Sequence, residues 1–394
     1  MPRPVRPGHA VHRIYNPFVI DCLCHGPIIP EFSLTSNVPD DSLVIVRTYP
    51  GRTHPGRQLV AAQEAIKGKN LKSILLLLRR RPGLSRADLA RLTGLQRSTV
   101  SNLVRELLED SRVIETGRGS PGSSGGKPTI LLALNPGRGY YVSLLWGSRG
   151  FEAALVDASG AAVYMSPRRV PPAGDPEAGL LRLLHALPAD APSGAVLGVA
   201  LVAGSVVTSA GAIRASAGFP HSLPDAPGLL RQLITAVPGG SGVAPSAAVV
   251  ENDANCVAIH AGECARDGIR HLLALVFTAR PPSVGAGLLA DGTIWRGSHG
   301  SAGELLPPGR RHTLRELDRA AATALRFADP DHLAVTLPDS IGWEDLTATA
   351  EVVRESGITM EQFPHRDAAL LGAANLAFQA ELEVYVSGGR VQVW

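Results

Sequence analysis

The spacing of apolar residues between positions 71 and 108 predicts three consecutive helices. In the first, apolar side chains recur at the i, i+3, i+4 and i+7 positions of an amphipathic helix, namely at Leu71, Ile74, Leu75 and Leu78. Pro82-Gly83 ends this helix. A shorter helix begins after Ser85, because Ser85 and Asp88 are spaced close to a capping box, and Gly94 ends it. A third helix begins near Arg97.

The third helix has one apolar face and one polar face. Its apolar positions are Val100, Leu103, Val104, Leu107 and Leu108. Two short helices joined by a turn that contains glycine are typical of a helix-turn-helix, whose second helix lies in the major groove of DNA. The opposite face carries side chains of the kinds that contact bases and phosphates, namely Arg97, Ser98, Thr99, Ser101, Asn102 and Arg105. We therefore predict that the third helix reads DNA.

Two short apolar runs after this helix predict a β-hairpin. They lie at 113–116 and 129–134, and a stretch rich in Gly, Ser and Pro separates them. Such a hairpin is the wing of a winged helix, and Arg118 and Lys127 would place positive charge on phosphates or in a minor groove. The winged helix-turn-helix is expected to span residues 67–135. Residues 1–66 show no sustained period and are interpreted as an N-terminal extension, with disorder as the alternative.

The distribution of charge supports a nucleic-acid partner for this segment. Residues 67–127 hold 13 Lys and Arg against 5 Asp and Glu, whereas residues 128–394 hold 19 against 25. The formal net charge of +3 for the whole chain conceals this segregation. A basic excess confined to one part of a chain is expected where that part meets phosphates.

The chain beyond the wing changes to strands separated by glycine turns. Three apolar runs at 140–146, 151–157 and 161–165 predict a β-meander. A predicted helix at 176–187 precedes a strand that ends at Gly204. This order resembles that of an actin-like ATPase half-domain, which would be an α/β arrangement with ligands expected at the strand ends. A later strand leads directly into the polar sequence Glu251-Asn252-Asp253-Ala254-Asn255.

Cysteine usage and hydropathy argue against a disulfide-rich, a membrane-spanning or a secreted protein. The four cysteines, at positions 22, 24, 256 and 264, form neither a CxxC pair nor a disulfide framework. The sequence has no apolar run of membrane-spanning length and no secretory signal. We therefore expect a cytoplasmic protein without a membrane partner.

Several motifs together resemble the ROK family of repressors, open reading frames and sugar kinases. They are the Glu251 to Asn255 sequence, Val284-Gly285-Ala286-Gly287, Asp291-Gly292 and the stretch from Gly297 to Glu304. Gly125-Gly126-Lys127-Pro128 is similar to the wing motif of the repressor branch, with Lys127 where Arg is usual. The resemblance covers residues 70 to about 305 well and the remainder more loosely. It implies a winged helix followed, over residues 138–394, by a two-lobed sugar-kinase-like body of ribonuclease H-like fold that forms homodimers.

The resemblance also implies a sugar-binding site. Asp253 occupies the position of the family's catalytic base, Asn252 lies beside it as a partner for sugar hydroxyls, and Glu304 matches a glutamate that contacts the sugar. Gly204, at the end of its strand, is the fourth ligand-binding candidate. The residues by themselves allow a different role, because Asn and Asp before a helix commonly cap it.

The sequence departs from the kinases where phosphate and zinc are bound. Leu145-Trp146-Gly147-Ser148-Arg149 stands where the family has an Asp-x-Gly-Gly-Thr motif, so the carboxylate that manages Mg²⁺ is missing. In the second phosphate loop, Pro281 and Pro282 remove two backbone donors. Pro307 replaces a zinc-binding His, no cysteine follows Cys264, and the segment after Glu304 is short. We therefore expect no cofactor, no metal, no kinase activity, a vestigial base at Asp253 and a shortened second lobe.

These patterns favour a DNA-binding transcriptional regulator, in the first place a repressor of carbohydrate-related genes. It would bind a duplex operator as a homodimer and respond to a sugar or sugar derivative. One alternative is an ATP-dependent sugar kinase with an appended DNA-binding module, and the altered phosphate loops argue against it. A second alternative is a DNA-binding protein that responds to no effector, and the sequence leaves that alternative open.

Overall fold

The computed structural model describes residues 55–119 (with side chains from 63), 128–147, 150–167, 169–170, 175–187, 195–215, 222–234, 247–265, 268–279, 281–307 and 311–388. Within this part of the chain, residues from 63 onward belong to one compact unit. The first helix, α1, runs from Pro55 to Arg80. This helix begins well before Leu71, the first of the apolar positions from which it was predicted, and the four predicted core positions Leu71, Ile74, Leu75 and Leu78 are all buried.

The predicted helix-turn-helix and hairpin form as expected. The elements are β1 (Leu84–Ser85), α2 (Arg86–Thr93), α3 (Arg97–Glu109), β2 (Val113–Arg118) and β3 (Ile130–Leu134). Ser85 and Asp88 make the capping box, and Gly94 ends α2 in the left-handed conformation that glycine tolerates. β3 pairs antiparallel with both β1 and β2. The predicted wing tip, including Lys127, lies outside the described residues.

The first lobe of the body is a five-stranded sheet. Its strands, in the order β6-β5-β4-β7-β8, are β4 (Gly139–Gly147), β5 (Gly150–Asp157), β6 (Ala162–Met165), β7 (Ala195–Ala203) and β8 (Ala247–Asn252). Successive side chains of a strand face opposite sides. Tyr140 and Val142 therefore pack towards α4 (Pro176–His185) and α5 (Ala226–Ile234), while Tyr141 packs on the other side.

The second lobe repeats this strand order. Its sheet, β11-β10-β9-β12-β13, contains β9 (His271–Ala279), β10 (Pro282–Ala290), β11 (Thr293–Ile294), β12 (His332–Thr336) and β13 (Thr359–Gln362). Helix α6 (Asp253–Cys264) packs against one face of this sheet, and α7 (Leu314–Ala328) and α8 (Thr347–Ser356) pack against the other. The predicted shortening after Glu304 therefore leaves a sheet with the same five-strand order as that of the first lobe.

The last helix, α9 (His365–Val386), joins the body to the winged helix. The C-terminal turns of this helix pack against the winged helix, since Leu382 lies in the same apolar cluster as residues of α1, α2 and α3. The winged helix and the body thus share one core. Among the described helices, none is both long and apolar enough to cross a membrane.

Candidate nucleic-acid interface and interlobe site

The polar face of α3 is presented to solvent as the sequence predicted. Val100, Leu103, Val104 and Leu107 are buried on the other face of the helix. Five of the six predicted contact residues are exposed and Thr99 is half-buried. The exposed residues are Arg97, Ser98, Ser101, Asn102 and Arg105. A rigid helix with this division of faces can enter a groove without disturbing its own core.

The N-terminus of α3 has backbone donors that no cap side chain satisfies. Gln96 is the N-cap residue and makes no side-chain cap hydrogen bond. The first N–H groups of a helix point outward and attract anions, an effect that the helix dipole reinforces. This end of α3 is therefore suited to a DNA phosphate. Arg118 is exposed at the end of β2 and would add a second positive contact from the wing.

The buried carboxylate of Glu381 connects the C-terminal end of α3 to the body by pairing with Arg112, which follows α3 in the sequence. Glu381 of α9 accepts hydrogen bonds from both terminal nitrogens of Arg112, at 2.7 and 3.1 Å, and one from Arg138 at 2.9 Å. Arg112 is 8% exposed and Glu381 is 4% exposed. Burial alone raises the pKa of Glu381, but the two guanidinium groups outweigh it and hold the pKa below its usual range. The carboxylate is thus ionised and paired at neutral pH.

Tyr385, one turn further along α9, completes this junction. Its hydroxyl donates to Asp110 at 2.6 Å, and the Arg112 guanidinium lies 3.5 Å from the centre of its ring. Burial and the neighbouring Asp110 raise the pKa of Tyr385, so the hydroxyl remains a donor. Sequence reasoning missed these residues. The i, i+4 spacing of Glu381 and Tyr385 was the available indication, since it places both on one helix face.

Two of the predicted ligand-binding residues, Gly204 and Asp253, meet at the carboxyl ends of β7 and β8. Asp253 is the first residue of α6, and a Cβ atom added to Gly204 would lie 3.6 Å from Asp253 Oδ2. Glu304 is also nearby: its side chain is solvent-accessible, but partial desolvation and the negative charge of Asp253 raise its pKa. Gly204 and Asp253 therefore lie side by side, and Glu304, whose backbone bridges to Gly285 of β10, is near enough for its charge to interact with that of Asp253.

Asn252 also lies at these strand ends but is engaged by the protein itself. Its Oδ1 accepts from the backbone N–H of Ala254 at 2.9 Å and of Asn255 at 3.4 Å. Its Nδ2 donates to the carbonyl of Ser205 at 3.0 Å. These bonds correspond to the capping role that the residue types allowed. Asn252 thus fixes the backbone on which Asp253 is presented.

His365 is a member of the site that the sequence did not indicate. As the first residue of α9, it places Nε2 at 3.1 Å from Asp253 Oδ2. Because His365 is distant from Asp253 in the sequence, only the folded structure shows that the two side chains are in contact. Behind Asp253, buried Glu251 accepts from Asn255 Nδ2 at 2.8 Å and Arg296 Nε at 2.7 Å. The first residue of α9, His365, contacts Asp253, and Glu381 near its C-terminal end pairs with Arg112, so one helix connects this site to the segment that follows α3.

The two segments that the sequence aligned with phosphate loops each lie between two antiparallel strands. Gly147 pairs with Gly150 between β4 and β5, and Ala279 pairs with Pro282 between β9 and β10. Only two residues separate the paired positions in each hairpin. The hydroxyl of Thr278 further closes the second turn by donating to the carbonyl of Pro281 at 2.7 Å. Within the described ranges, no group of three or more His, Cys, Asp or Glu side chains is arranged to hold a metal ion.

Comparison with known proteins agrees with this architecture. Residues 69–113 match the family model for winged helix-turn-helix DNA-binding domains. The chain is 36% identical over 104 residues to the xylose repressor of Bacillus subtilis (strain 168), which is 26% of this chain and 27% of that protein. It is 26% identical over 229 residues to a putative xylose repressor of Caldicellulosiruptor sp. (strain Rt8B.4), covering 56% and 54% of the two chains. The chain therefore spans from about a quarter to about half the length of these curated relatives.

A solved structure extends the similarity to most of the chain. The ROK family transcriptional regulator described as a homologue of the E. coli MLC protein superposes with a TM-score of 0.56 at 16% sequence identity. The match covers 82% of this chain and 100% of that chain. The predicted fold class, a winged helix-turn-helix followed by a two-lobed α/β body, is confirmed, and this fold is similar to that of the solved regulator.

Proposed function

We propose that this protein is a DNA-binding transcriptional repressor of carbohydrate-related genes that responds to a sugar or sugar derivative held between its lobes. The observation that carries the proposal is the recognition helix α3. It presents a polar face and an uncapped N-terminus to solvent, while a buried ion pair anchors its other end to the body. In this proposal the protein acts in the cytoplasm, and two copies bind a two-fold symmetric operator.

The contacts with DNA divide into two kinds. Arg97, Ser98 and Asn102 lie in the first turns of α3 and contact base edges, as do their neighbours Thr99 and Ser101. Arg105, Arg118 and Lys127 contact phosphates and supply affinity without sequence preference. The matching winged-helix model and the relatives named as xylose repressors support this assignment.

The effector site is the interlobe edge built by Gly204, Asp253 and Glu304. Asp253 accepts hydrogen bonds from sugar hydroxyls, and Glu304 contacts a neighbouring hydroxyl. Asn252 contributes by holding the backbone of Asp253, since its own amide is engaged. Because His365 contacts Asp253, a ligand that displaces this contact acts directly on the start of α9. Movement of α9 then reaches Arg112 and α3 through Glu381.

Two measurements on the full chain test this function. Genome-wide mapping of bound sites is expected to recover a shared inverted repeat beside sugar transport or catabolism genes. D-xylose, chosen because of the relatives' names, is the first of a panel of pentoses, hexoses and their phosphates in a thermal-shift assay. A ligand at about 100 times its dissociation constant stabilises the fold by roughly 2.7 kcal/mol. Random, promoter-independent occupancy would contradict the regulatory role, and a panel without any shift would contradict the effector role.

A sugar kinase is the second candidate, because the two carboxyl groups at the cleft are of the kind that a phosphoryl-transfer site uses. The sequence argues against it, because residues 145–149 offer no carboxylate for Mg²⁺ and Pro281 and Pro282 lack backbone N–H donors. An assay of ADP release with ATP, Mg²⁺ and the same sugars is expected to show no turnover. Turnover that Asp253→Asn abolishes would establish the kinase instead.

A further inference from the structure

A second concave surface lies on the second lobe, at residues that the interlobe site does not use. It is a groove of about 580 Å³ between α7 and the strands β10 and β11. Its walls include Leu288, Trp295, Leu305, Ala324 and Phe327. Trp295 is 50% exposed and Phe327 is 81% exposed, although both are large aromatic side chains. Contiguous apolar surface that is exposed to solvent often marks a ligand-binding groove or an interaction site.

The groove follows from the way α7 lies on the sheet. Leu317, Ala321 and Leu325 pack into the core of the lobe. The adjacent positions Ala320 and Ala324 line the groove, and their small side chains leave its space open.

The floor of the groove is held by backbone contacts. The carbonyl of Gly303 accepts from the N–H of Ala286 at 2.9 Å, and a Cβ atom added to Gly303 would lie 1.8 Å from the Ala286 carbonyl oxygen. The backbone at the floor of the groove is therefore closely packed.

The charged groups along the groove specify the sign of its ligand. Glu316 lines it, but its Oε2 already accepts from the N–H of Thr313 at 2.8 Å. The Thr323 hydroxyl donates to the carbonyl of Arg319 at 2.8 Å. Arg319 is exposed, and its guanidinium has no hydrogen bond or ion pair within the described residues. An apolar trough with one available guanidinium is complementary to an apolar molecule that ends in an anion.

We propose that this groove binds a small amphipathic monocarboxylate, such as a medium-chain fatty acid. The chain lies against Leu288, Ala324 and Trp295, and the carboxylate pairs with Arg319. The volume lies within the range of about 300–1,000 Å³ that is typical of small-molecule sites. This proposal does not depend on the function of the interlobe site.

Calorimetric titration of the full chain with sodium decanoate, below the concentration at which micelles form, tests the proposal. We expect saturable binding at one site per chain, with decan-1-ol and decyltrimethylammonium binding at least tenfold more weakly. Arg319→Gln should weaken decanoate binding by roughly tenfold, because a charge-assisted hydrogen bond is lost. Ala324→Trp, which fills the groove, should abolish it. Arg326→Gln is the matched control on the same helix, because Arg326 faces Glu355 instead of the groove.

Circular dichroism and unchanged DNA affinity establish that the variants are folded. The proposal is overturned if wild-type protein shows no saturable decanoate binding, or if decanol binds as tightly as decanoate. It is also overturned if Arg319→Gln binds decanoate as tightly as Arg326→Gln does. A concentration-dependent dimer that Ala324→Trp dissociates, and that decanoate leaves intact, would show that the groove is a self-association surface.

Discussion

Replacing Glu381 by glutamine should destabilise the protein more than replacing any surface carboxylate. Glu381→Gln preserves the shape of the side chain but removes its charge. Arg112, 8% exposed, then keeps a buried charge without a counter-ion, whereas the side chain of Arg138 is 21% exposed and can turn to water. Removing one partner of a buried ion pair costs about 3–5 kcal/mol. Because the amide oxygen still accepts one hydrogen bond, we expect the free energy of unfolding to fall by about 3 kcal/mol.

Urea denaturation at neutral pH measures this loss, with Glu355→Gln as the matched control. Glu355 also faces an arginine, Arg326 at 3.4 Å, but both side chains are more than half exposed. Exposed pairs contribute at most about 1 kcal/mol. The two variants therefore make the same chemical change in a buried and an exposed pair. Equal losses in the two variants, each below about 1 kcal/mol, would refute the reasoning that Glu381 anchors the winged helix.

The difference between wild type and Glu381→Gln should also depend on pH. Since the pKa of Glu381 is lower in the folded protein than in the unfolded chain, its ionisation stabilises the fold above the unfolded pKa. That contribution is lost as the pH falls through the folded pKa. The difference in unfolding free energy should thus be constant around neutrality and shrink below the ordinary range for glutamate. A difference that persists unchanged into strong acid would mean that packing, and not charge, explains the loss.

Three further substitutions test other parts of the molecule. Arg97→Ala should cost roughly 1–3 kcal/mol of binding at one base pair, which competition with singly substituted operators measures; an equal loss on every sequence would make Arg97 a phosphate contact. Gln96→Ser should stabilise the fold by about 0.5–1 kcal/mol in denaturation, since it supplies the missing cap of α3, and no gain would mean that the helix end is already satisfied. Gly287→Ala should destabilise the body because its Cβ would lie 2.2 Å from the carbonyl oxygen of Ala254, and an unchanged urea midpoint would show that β10 and α6 can separate.

The winged helix could be predicted from sequence because its determinants are local. The helical spacing of Val100, Leu103 and Leu107, the Ser85 cap and the Gly94 stop lie within a few residues of the structures that they specify. The position of Asp253 beside Gly204 was predictable for a related reason. Asp253 directly follows an apolar strand, and parallel strands bring their carboxyl ends to the same edge of a sheet.

The contacts that α9 makes near its two ends were not predictable from local sequence patterns. Glu381 meets Arg112 across 269 positions, and His365 meets Asp253 across 112. Each depends on where α9 crosses the body, which no local periodicity encodes. The groove beside α7 was missed because Ala320 and Ala324 are compatible with both a core and an open surface. Only the packed sheet shows that nothing in the described part of the chain covers them.

The salt dependence of operator affinity tests the central claim most directly. Using a promoter fragment recovered by genome-wide mapping, log affinity is measured against log salt concentration for the wild-type chain and for Arg105→Gln. Each phosphate contact contributes about −0.9 to the slope. We predict a steep negative slope for the wild type and, for the variant, a slope that is shallower by about 0.9, which is the contribution of one phosphate contact. An affinity that is indifferent to salt would contradict the assignment of α3 and the wing as a DNA-binding surface.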